Sequence, residues 1–508
     1  MIADTTARRD WARPSLILAV ASLAIHVFVN GGYGFFRDEL YFIVCGQHPA
    51  WGYVDQPPLV PLIAAASRAA FGDWLLGFRI VPALAMTAMV ALTAEFAQAV
   101  GGGRFAQWLA GLCALGAAVF LVHGLLVSTD MFQALTWLGC AWCLVRIAQT
   151  NDQRWWIAFG LITGFSLLTK YLIAFFMIAL VPGLLMSPLR RSLARPWLYA
   201  GAGLALTMVL PNILWQQQQG WPFLELGAAG ASHKNLALSP LAFFGQQLLL
   251  IGPLTAAVWL AGLWATAVRP AHAAYRAFPI AYALLFAFFV VSHGKAYYLA
   301  PIYPVLLGFG AVAIEGWLTA AWMRGTALAA IAVSSALVAP MAVPVLPVKT
   351  YIAYADAIGL SPSALAGEHQ KLSALPQHFA DMFGWREMAA DVETVWRKLP
   401  PADQARAVVF GQNYGEAAAI DVFGHGLPPA ISGHNNYYLW GPRGHDGNVI
   451  VVIGGNRKEM EGLFQSVTLA GHIDTPYAMP YETNKPIYIL RGARTPLPAL
   501  WPSLKHFE

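Results

Sequence analysis

The sequence predicts a polytopic α-helical membrane protein that ends in a smaller α/β domain. Three observations carry this reading. Of 508 residues, 58% are hydrophobic and only 11% charged, where soluble domains carry roughly a quarter charged residues. Apolar runs long enough to span a bilayer recur from Ser15 to about residue 345. Beyond 345 the composition turns polar, and short strand-like and helix-like patterns alternate.

The candidate spans are 15–35, 79–100, 104–123, 130–149, 154–169, 171–187, 197–216, 241–267, 275–292, 297–318 and 325–345, eleven in all. The basic residues Arg8 and Arg9 before the first run also fit a signal peptide. No small-residue cleavage site follows, so the run is read as a retained first helix. The tract "WWIAFGLITGFSLLTKYLIAFFMIALVPGLLM" is long for one helix and has Lys170 at its middle. A cation at bilayer depth is costly, so the tract is expected to be two short helices that turn at Thr169-Lys170 near one surface.

Charge supports that division. It puts Arg8, Arg9, Arg13, Arg104, Arg146, Arg154, Arg190, Arg191, Arg195, Arg269, Arg276 and Arg324 on one side, and only Arg37, Arg68, Arg79, Lys170, Lys234 and Lys295 on the other. The side richer in Arg and Lys is expected in the cytoplasm. The N-terminus then lies inside and the C-terminal region outside, periplasmic in a bacterial inner membrane. The expected domains are 1–345, membrane-embedded with interfacial first-loop helices, and 346–508, an α/β domain. In the latter, "ARAVVFG" (405–411), "NVIVVIGG" (448–455) and "PIYILRG" (486–492) read as strands and "YGEAAAIDVFG" (414–424) as a helix.

Several function classes are excluded. The net charge of +5 is modest and no basic run occurs, which argues against a nucleic-acid partner. Cys113, Cys140 and Cys143 lie in apolar segments and Cys45 has no evident partner, so neither a disulfide framework nor a cysteine metal site is expected. No Walker A or complete GxGxxG pattern is present, and no nucleotide is assigned.

Polar chemistry gathers in the outward loops. The first holds Arg37, Asp38, Glu39, His48, Asp55 and Gln56; the second ends in Asp130; the third is the Lys170 turn. The fourth holds His233 and Lys234, and the fifth, "SHGKAYYLAP", has His293, Lys295, Tyr297 and Tyr298. Structural readings stand beside the functional ones. Asp130 suits a helix N-cap, Lys170 a snorkelling anchor, and the tyrosine pair an aromatic belt. Asp38 and Glu39 precede "LYFIV", which suggests a short helix lying on the membrane with the acids held at the interface. A carboxylate beside cations at a lipid surface suits glycosyl transfer from a lipid-linked phosphosugar. The carboxylate takes the proton of an attacking hydroxyl, and cations stabilise the departing phosphate. The alternative is a polytopic transporter or flippase of lipid-linked sugar. Transporters place ionisable groups near the midplane and build from repeats, and no repeat is visible here.

The segments "FFRDELYF", "WGYVDQPPL", "LTKY", "PNILWQQQQGWP", "HGKAYYLAPIYPVLL" and "YGEAAAIDVFG" resemble, in this order along the whole chain, a bacterial branch of the protein-mannosyltransferase superfamily. That superfamily includes the lipid A aminoarabinose transferases. The resemblance implies a C-type glycosyltransferase fold, a polyprenyl-phosphate sugar donor, an inverting reaction on the outer face, and a lipid, glycan or protein acceptor. It implies that Asp38 is the first-loop acid acting as base, with Glu39 its neighbour and Asp130 a second acid. "VDQPP" resembles an acid-Lys-Pro-Pro segment of the aminoarabinose enzymes, with Asp55 at the acid and Gln56 in place of the lysine. The phosphate-binding charge is therefore expected from Lys170, Lys295 and Arg37, with His233 and Lys234 behind them and His293, Tyr297 and Tyr298 alongside. These groups are expected to share one pocket at the bilayer edge, with the C-terminal domain capping it. No cofactor is assigned. Some relatives hold a divalent ion, which leaves one open, with His48 or His293 beside a carboxylate as its ligands.

Overall fold

Apolar helices and their breaks set the architecture. The computed structural model describes residues 12–230, 235–360 and 373–507. The chain divides into two compact units. One comprises 1–32, 76–214 and 235–347, and the other 33–75, 215–234 and 348–508.

The first unit is helical. Among the described residues, four helices are long and apolar enough to cross a membrane: Ile80–Ala99, Pro196–Gln218, Ala296–Trp317 and Ala321–Ala342. Three bent pairs, each taken as one span, raise the number to seven. Shorter apolar helices at Pro14–Val29, Trp155–Leu167 and Ala277–Val291 belong to the same unit. The Lys170 tract is two helices, Trp155–Leu167 and Leu172–Leu185, with Lys170 in the turn between them. The span expected over 241–267 is broken into two helices. Pro240–Ile251 and Ala256–Val268 meet at 114°. Gly252, at φ 109, adopts a conformation that L side chains rarely reach, and Pro253 lacks an N–H to continue a helix. The 104–123 segment likewise bends by 63°, between Gly116 and Ala118.

Helices in this unit approach closely where residues are small. A Cβ at Gly310 would collide with the Val258 carbonyl, and one at Gly262 with the Leu306 carbonyl. The helices Ala256–Val268 and Tyr303–Trp317 therefore touch backbone to backbone, a common solution where lipid offers no hydrophobic drive to association. Elsewhere large side chains fill the interior, as where Trp137 stacks on Phe176 with ring centroids 4.3 Å apart.

The second unit contains a four-stranded sheet of β1 (Val408–Phe410), β2 (Val449–Ile453), β3 (Phe464–Ile473) and β4 (Lys485–Ala493), in the order β1-β2-β4-β3. β1 and β2 are parallel, with Val409 opposite Val451, while β4 is antiparallel to both β2 and β3. Helix Tyr414–Phe423 makes the crossover from β1 towards β2, and Asn413 caps it by accepting from the Glu416 N–H at 3.0 Å. β3 went unread in the sequence. It is an edge strand whose residues are largely solvent-exposed, so no apolar run marks it. Helix Trp385–Arg397 buries Trp385, Met388, Ala389, Val392, Val395 and Trp396 along one side, the 3.6-residue period of an amphipathic helix.

The sequence reading assigns the first loop to the membrane part, whereas 33–75 packs with the C-terminal residues. The expectation of "LYFIV" as a surface helix is corrected in consequence. Helix Arg37–Gln47 exists, but Glu39 through Cys45 are all buried. It packs against helices Leu59–Phe71 and Tyr414–Phe423. The exposed apolar groups of this loop are instead Trp51, Leu62, Phe71 and Trp74.

The tight crossing in the first unit generates a test. Gly310→Val should lower stability by about 1–3 kcal/mol through overpacking. Gly316→Ala, in the same helix with nothing within 4 Å of the added Cβ, should be neutral or slightly stabilising. Thermal unfolding in detergent micelles reads both.

Candidate active site

Two polar clusters hold the residues singled out in the sequence, one in each unit. In the membrane unit the turn after Trp155–Leu167 presents Lys170. The Thr169 hydroxyl donates to the Ser166 carbonyl at 2.7 Å and accepts from the Gln133 amide at 3.0 Å, which fixes the turn. The Lys170 ammonium then donates to both oxygens of Asp130, at 2.8 and 2.7 Å. It also lies 4.7 Å from the Tyr298 ring centre and 5.5 Å from that of Tyr297. Lys295 lies 5.9 Å from the centre of the same Tyr297 ring, so two ammonium groups lie within cation–π distance of one aromatic ring. The 3₁₀ turn Ala296–Ile302 that carries both tyrosines is held by Gln247, whose amide donates to the Ala296 carbonyl at 3.1 Å. The Gln247 oxygen in turn accepts from the Tyr303 hydroxyl at 3.0 Å.

Asp130 does not cap the next helix. The N-cap of Gln133–Thr150 is Phe132, without a side-chain bond. Asp130 is instead the counter-charge of Lys170. Burial pushes its carboxyl up, and the facing Lys170 ammonium outweighs this, leaving it below the usual carboxylate range. His293 is exposed, in the left-handed region at φ 53. His233 and Lys234 lie outside the described residues.

In the second unit, Asp38 begins the helix Arg37–Gln47. Its Oδ1 accepts from the Tyr414 hydroxyl at 2.8 Å and from Arg37 Nε at 3.4 Å. Arg37 is nearly buried, with its guanidinium 5.2 Å from the Tyr414 ring centre. Its Nη1 donates to the Tyr481 hydroxyl at 2.9 Å, and its Nη2 lies 3.9 Å from Asp381. Glu39 is fully buried and accepts from the Phe36 N–H at 2.8 Å, which ties down the start of its own helix. Asp55 accepts from Tyr41 at 3.0 Å, and Gln56 is buried beside Cys45. His48 stacks on Trp440.

Asp381, Tyr414 and Tyr481 were missed in the sequence as site residues. "YGEAAAIDVFG" drew attention as a motif, but nothing local tells which first-loop residue Tyr414 meets. Burial pushes the Asp381 carboxyl up to about 6, with Arg37 pulling the other way. All four cysteines are buried and free. Among the described residues, no three of His, Cys, Asp and Glu gather as a metal-ligand set.

Two tests follow from these geometries. Lys170→Met removes the cation that engages both Asp130 oxygens. It should approach the ~3–5 kcal/mol lost when one partner of a buried ion pair is removed, less what the 20% exposure of the lysine side chain returns. Adding Asp130→Asn should recover part of the loss, as unfolding midpoints would show. The second test concerns Asp381, whose folded-state carboxyl holds a proton up to about pH 6, where the unfolded chain releases it near 3.8. Its contribution to stability therefore declines as pH rises between those values, by roughly 3 kcal/mol in total. Asp381→Asn should remove that decline relative to wild type in unfolding scans at pH 4 to 6.

Residues 55–215 match the family model described as dolichyl-phosphate-mannose-protein mannosyltransferase. A curated relative, the polyprenol-phosphate-mannose–protein mannosyltransferase of Corynebacterium glutamicum, is 29% identical over 157 residues. That match covers 26% of this chain and 30% of the relative, so it spans less than a third of the relative's length. Among solved structures, ArnT of Cupriavidus metallidurans bound to undecaprenyl phosphate superposes with a TM-score of 0.61 at 15% identity, covering 93% of this chain and 97% of that one. Its apo form gives the same TM-score over 95% and 98%. At this identity the superposition speaks for the fold. Residues 55–215 are thus similar to the protein mannosyltransferases, and the fold of the chain is similar to that of ArnT.

Proposed function

We propose that this chain is a membrane glycosyltransferase that moves one sugar from a polyprenyl phosphate to an acceptor hydroxyl at the periplasmic face. The observation that carries the reading is the pair of ammonium groups, Lys170 and Lys295, flanking Tyr297 beside an ionised Asp130. A sugar-linked phosphodiester has one negative charge, and the departing polyprenyl phosphate gains a second. Ammonium groups held in a poorly hydrated setting stabilise that added charge. Asp130 occupies two of the three Lys170 donors and keeps the ammonium in place, and Lys295 adds a second positive charge.

In the proposed reaction the acceptor oxygen bonds to the anomeric carbon while the bond from that carbon to the phosphate oxygen breaks. The bonding electrons leave with the phosphate, and the sugar inverts. The acceptor proton passes to Asp38. The names of the relatives support a polyprenyl-phosphate donor, and the distribution of Arg and Lys along the sequence supports the orientation. A hexose and a pentose both suit the reading. A transporter or flippase of lipid-linked sugar would move the donor without releasing polyprenyl phosphate.

The experiment has two stages. Envelope lipids and glycans of cells lacking the protein, set against wild type, should show the loss of one sugar modification. The purified protein should then transfer that sugar from its polyprenyl phosphate in detergent micelles. Asp38→Asn should abolish transfer with the unfolding midpoint retained, and Lys170→Gln should lower kcat through the leaving group. Micellar protein that releases no polyprenyl phosphate would sink the transferase reading; wild-type turnover by Asp38→Asn would remove Asp38 from the base role.

A further inference from the structure

We propose that Tyr414 is a positioning residue for Asp38: its hydroxyl, together with Arg37 Nε, engages Oδ1 and leaves Oδ2 to take the acceptor proton. The inference rests on the reading of Asp38 as the base.

Four observations carry it. First, both donors that reach Asp38 among the described residues reach the same oxygen, Tyr414 at 2.8 Å and Arg37 at 3.4 Å. The Asp38 side chain is 34% exposed, while that of Arg37 is 13% exposed. A carboxylate anchored through one oxygen on its buried side presents the other, and a base needs such a free lone pair directed at its proton.

Second, Tyr414 is itself held firmly. It is the first residue of the helix Tyr414–Phe423, capped by Asn413. Its ring lies 4.6 Å from Tyr41 and 4.8 Å from His434, centre to centre. Burial drives its phenol pKa well up, so the hydroxyl keeps the proton it donates. A donor fixed by packing holds its acceptor more closely than a mobile one.

Third, the next residue makes the approach possible. A Cβ at Gly415 would lie 2.6 Å from Arg37 Cγ and 2.8 Å from its Cδ. Those atoms belong to the stem of a side chain whose head is already bonded to Tyr481, so it cannot swing aside freely. Glycine at 415 lets Arg37 cross the start of the helix and lay its guanidinium over the Tyr414 ring.

Fourth, the residue after that anchors the helix start. Glu416 is fully buried, accepts from the Gln412 N–H at 2.6 Å and pairs with Lys485 at the beginning of β4. Lys485 also donates to Glu482 at 3.0 Å, and Glu482 accepts from Asn413 at 2.8 Å. The run Tyr414-Gly415-Glu416 thus has three tasks: donation to Asp38, clearance for Arg37, and attachment to the sheet.

The test uses the full-length protein and the polyprenyl phosphate charged with the sugar absent from the deletion strain. Tyr414→Phe keeps the ring and removes the hydroxyl. It should lower kcat roughly tenfold to a hundredfold, the scale of a small misplacement of a reacting group, with KM for the donor unchanged. The acid limb of the pH–rate profile should move to higher pH, because a carboxylate that loses a donor holds its proton more strongly. Replacing Tyr414 with 3-fluorotyrosine retains the packing and makes the hydroxyl a stronger donor, and should move the acid limb to lower pH; this arm decides the matter if Tyr414→Phe misfolds. A wild-type kcat and pH profile in both Tyr414 variants, with Asp38→Asn inactive, would overturn the positioning role and leave the base reading standing. Wild-type turnover by Asp38→Asn would overturn the base reading and this inference together.

Discussion

A cation cannot be left unpaired in a largely apolar helical body, and the surroundings of Lys170 follow from that constraint. Desolvating an ammonium costs several kcal/mol unless an opposite charge and hydrogen bonds compensate. The chain meets the cost by ending one helix at Leu167, placing Lys170 in a turn, and setting Asp130 against it with both oxygens engaged. The faces of Tyr297 and Tyr298 supply the remaining favourable surface. Gln133 and Gln247 pin the two turns that bring these groups together. An ammonium has three donors and Asp130 takes two of them, which is compatible with the proposed contact to a phosphate.

The second unit answers a different problem, that of holding a short helix rich in large apolar residues. Helix Arg37–Gln47 buries Leu40 to Cys45 without interruption. A surface helix would show a polar face, and this one has none after its first turn. Its cover comes from Leu59–Phe71 and from Tyr414–Phe423, a helix almost the length of the chain away. The acids at its start therefore sit beside C-terminal groups. Asp38 meets Tyr414, and Arg37 meets Tyr481 and Asp381. The C-terminal α/β region is in this sense part of the scaffold of the first loop, which gives a physical reason for the two to be retained in one polypeptide.

Under the proposed function, each cluster taken by itself suits a different chemical demand of glycosyl transfer. The membrane unit gathers cations and aromatic faces, suited to a phosphate on a lipid. The second unit gathers a partly exposed carboxylate with fixed donors on one oxygen, suited to accepting a proton. Gln56, where the aminoarabinose enzymes are expected to carry a lysine, is buried beside Cys45.

Composition and apolar run length alone established that the chain is polytopic and helical, because spanning a bilayer demands about twenty apolar residues whatever they pack against. The same local logic located the break at Lys170, since an unpaired cation is unfavourable in any arrangement of the helices. It also located β1, β2, β4 and the helix between the first two, whose apolar runs are self-evident. Tertiary structure alone decided the rest. The Gly252-Pro253 bend is local chemistry whose angle only packing sets. Edge strand β3 exists because β4 offers it a partner, not because its own residues demand it. Asp130 became a counter-ion and not a cap because Lys170, forty residues on, needed one. Helix Arg37–Gln47 became buried because distant residues cover it. A sequence shows what each segment must avoid, such as bare charge, unpaired backbone or exposed apolar surface; which distant segment supplies the remedy is settled only when the chain has folded.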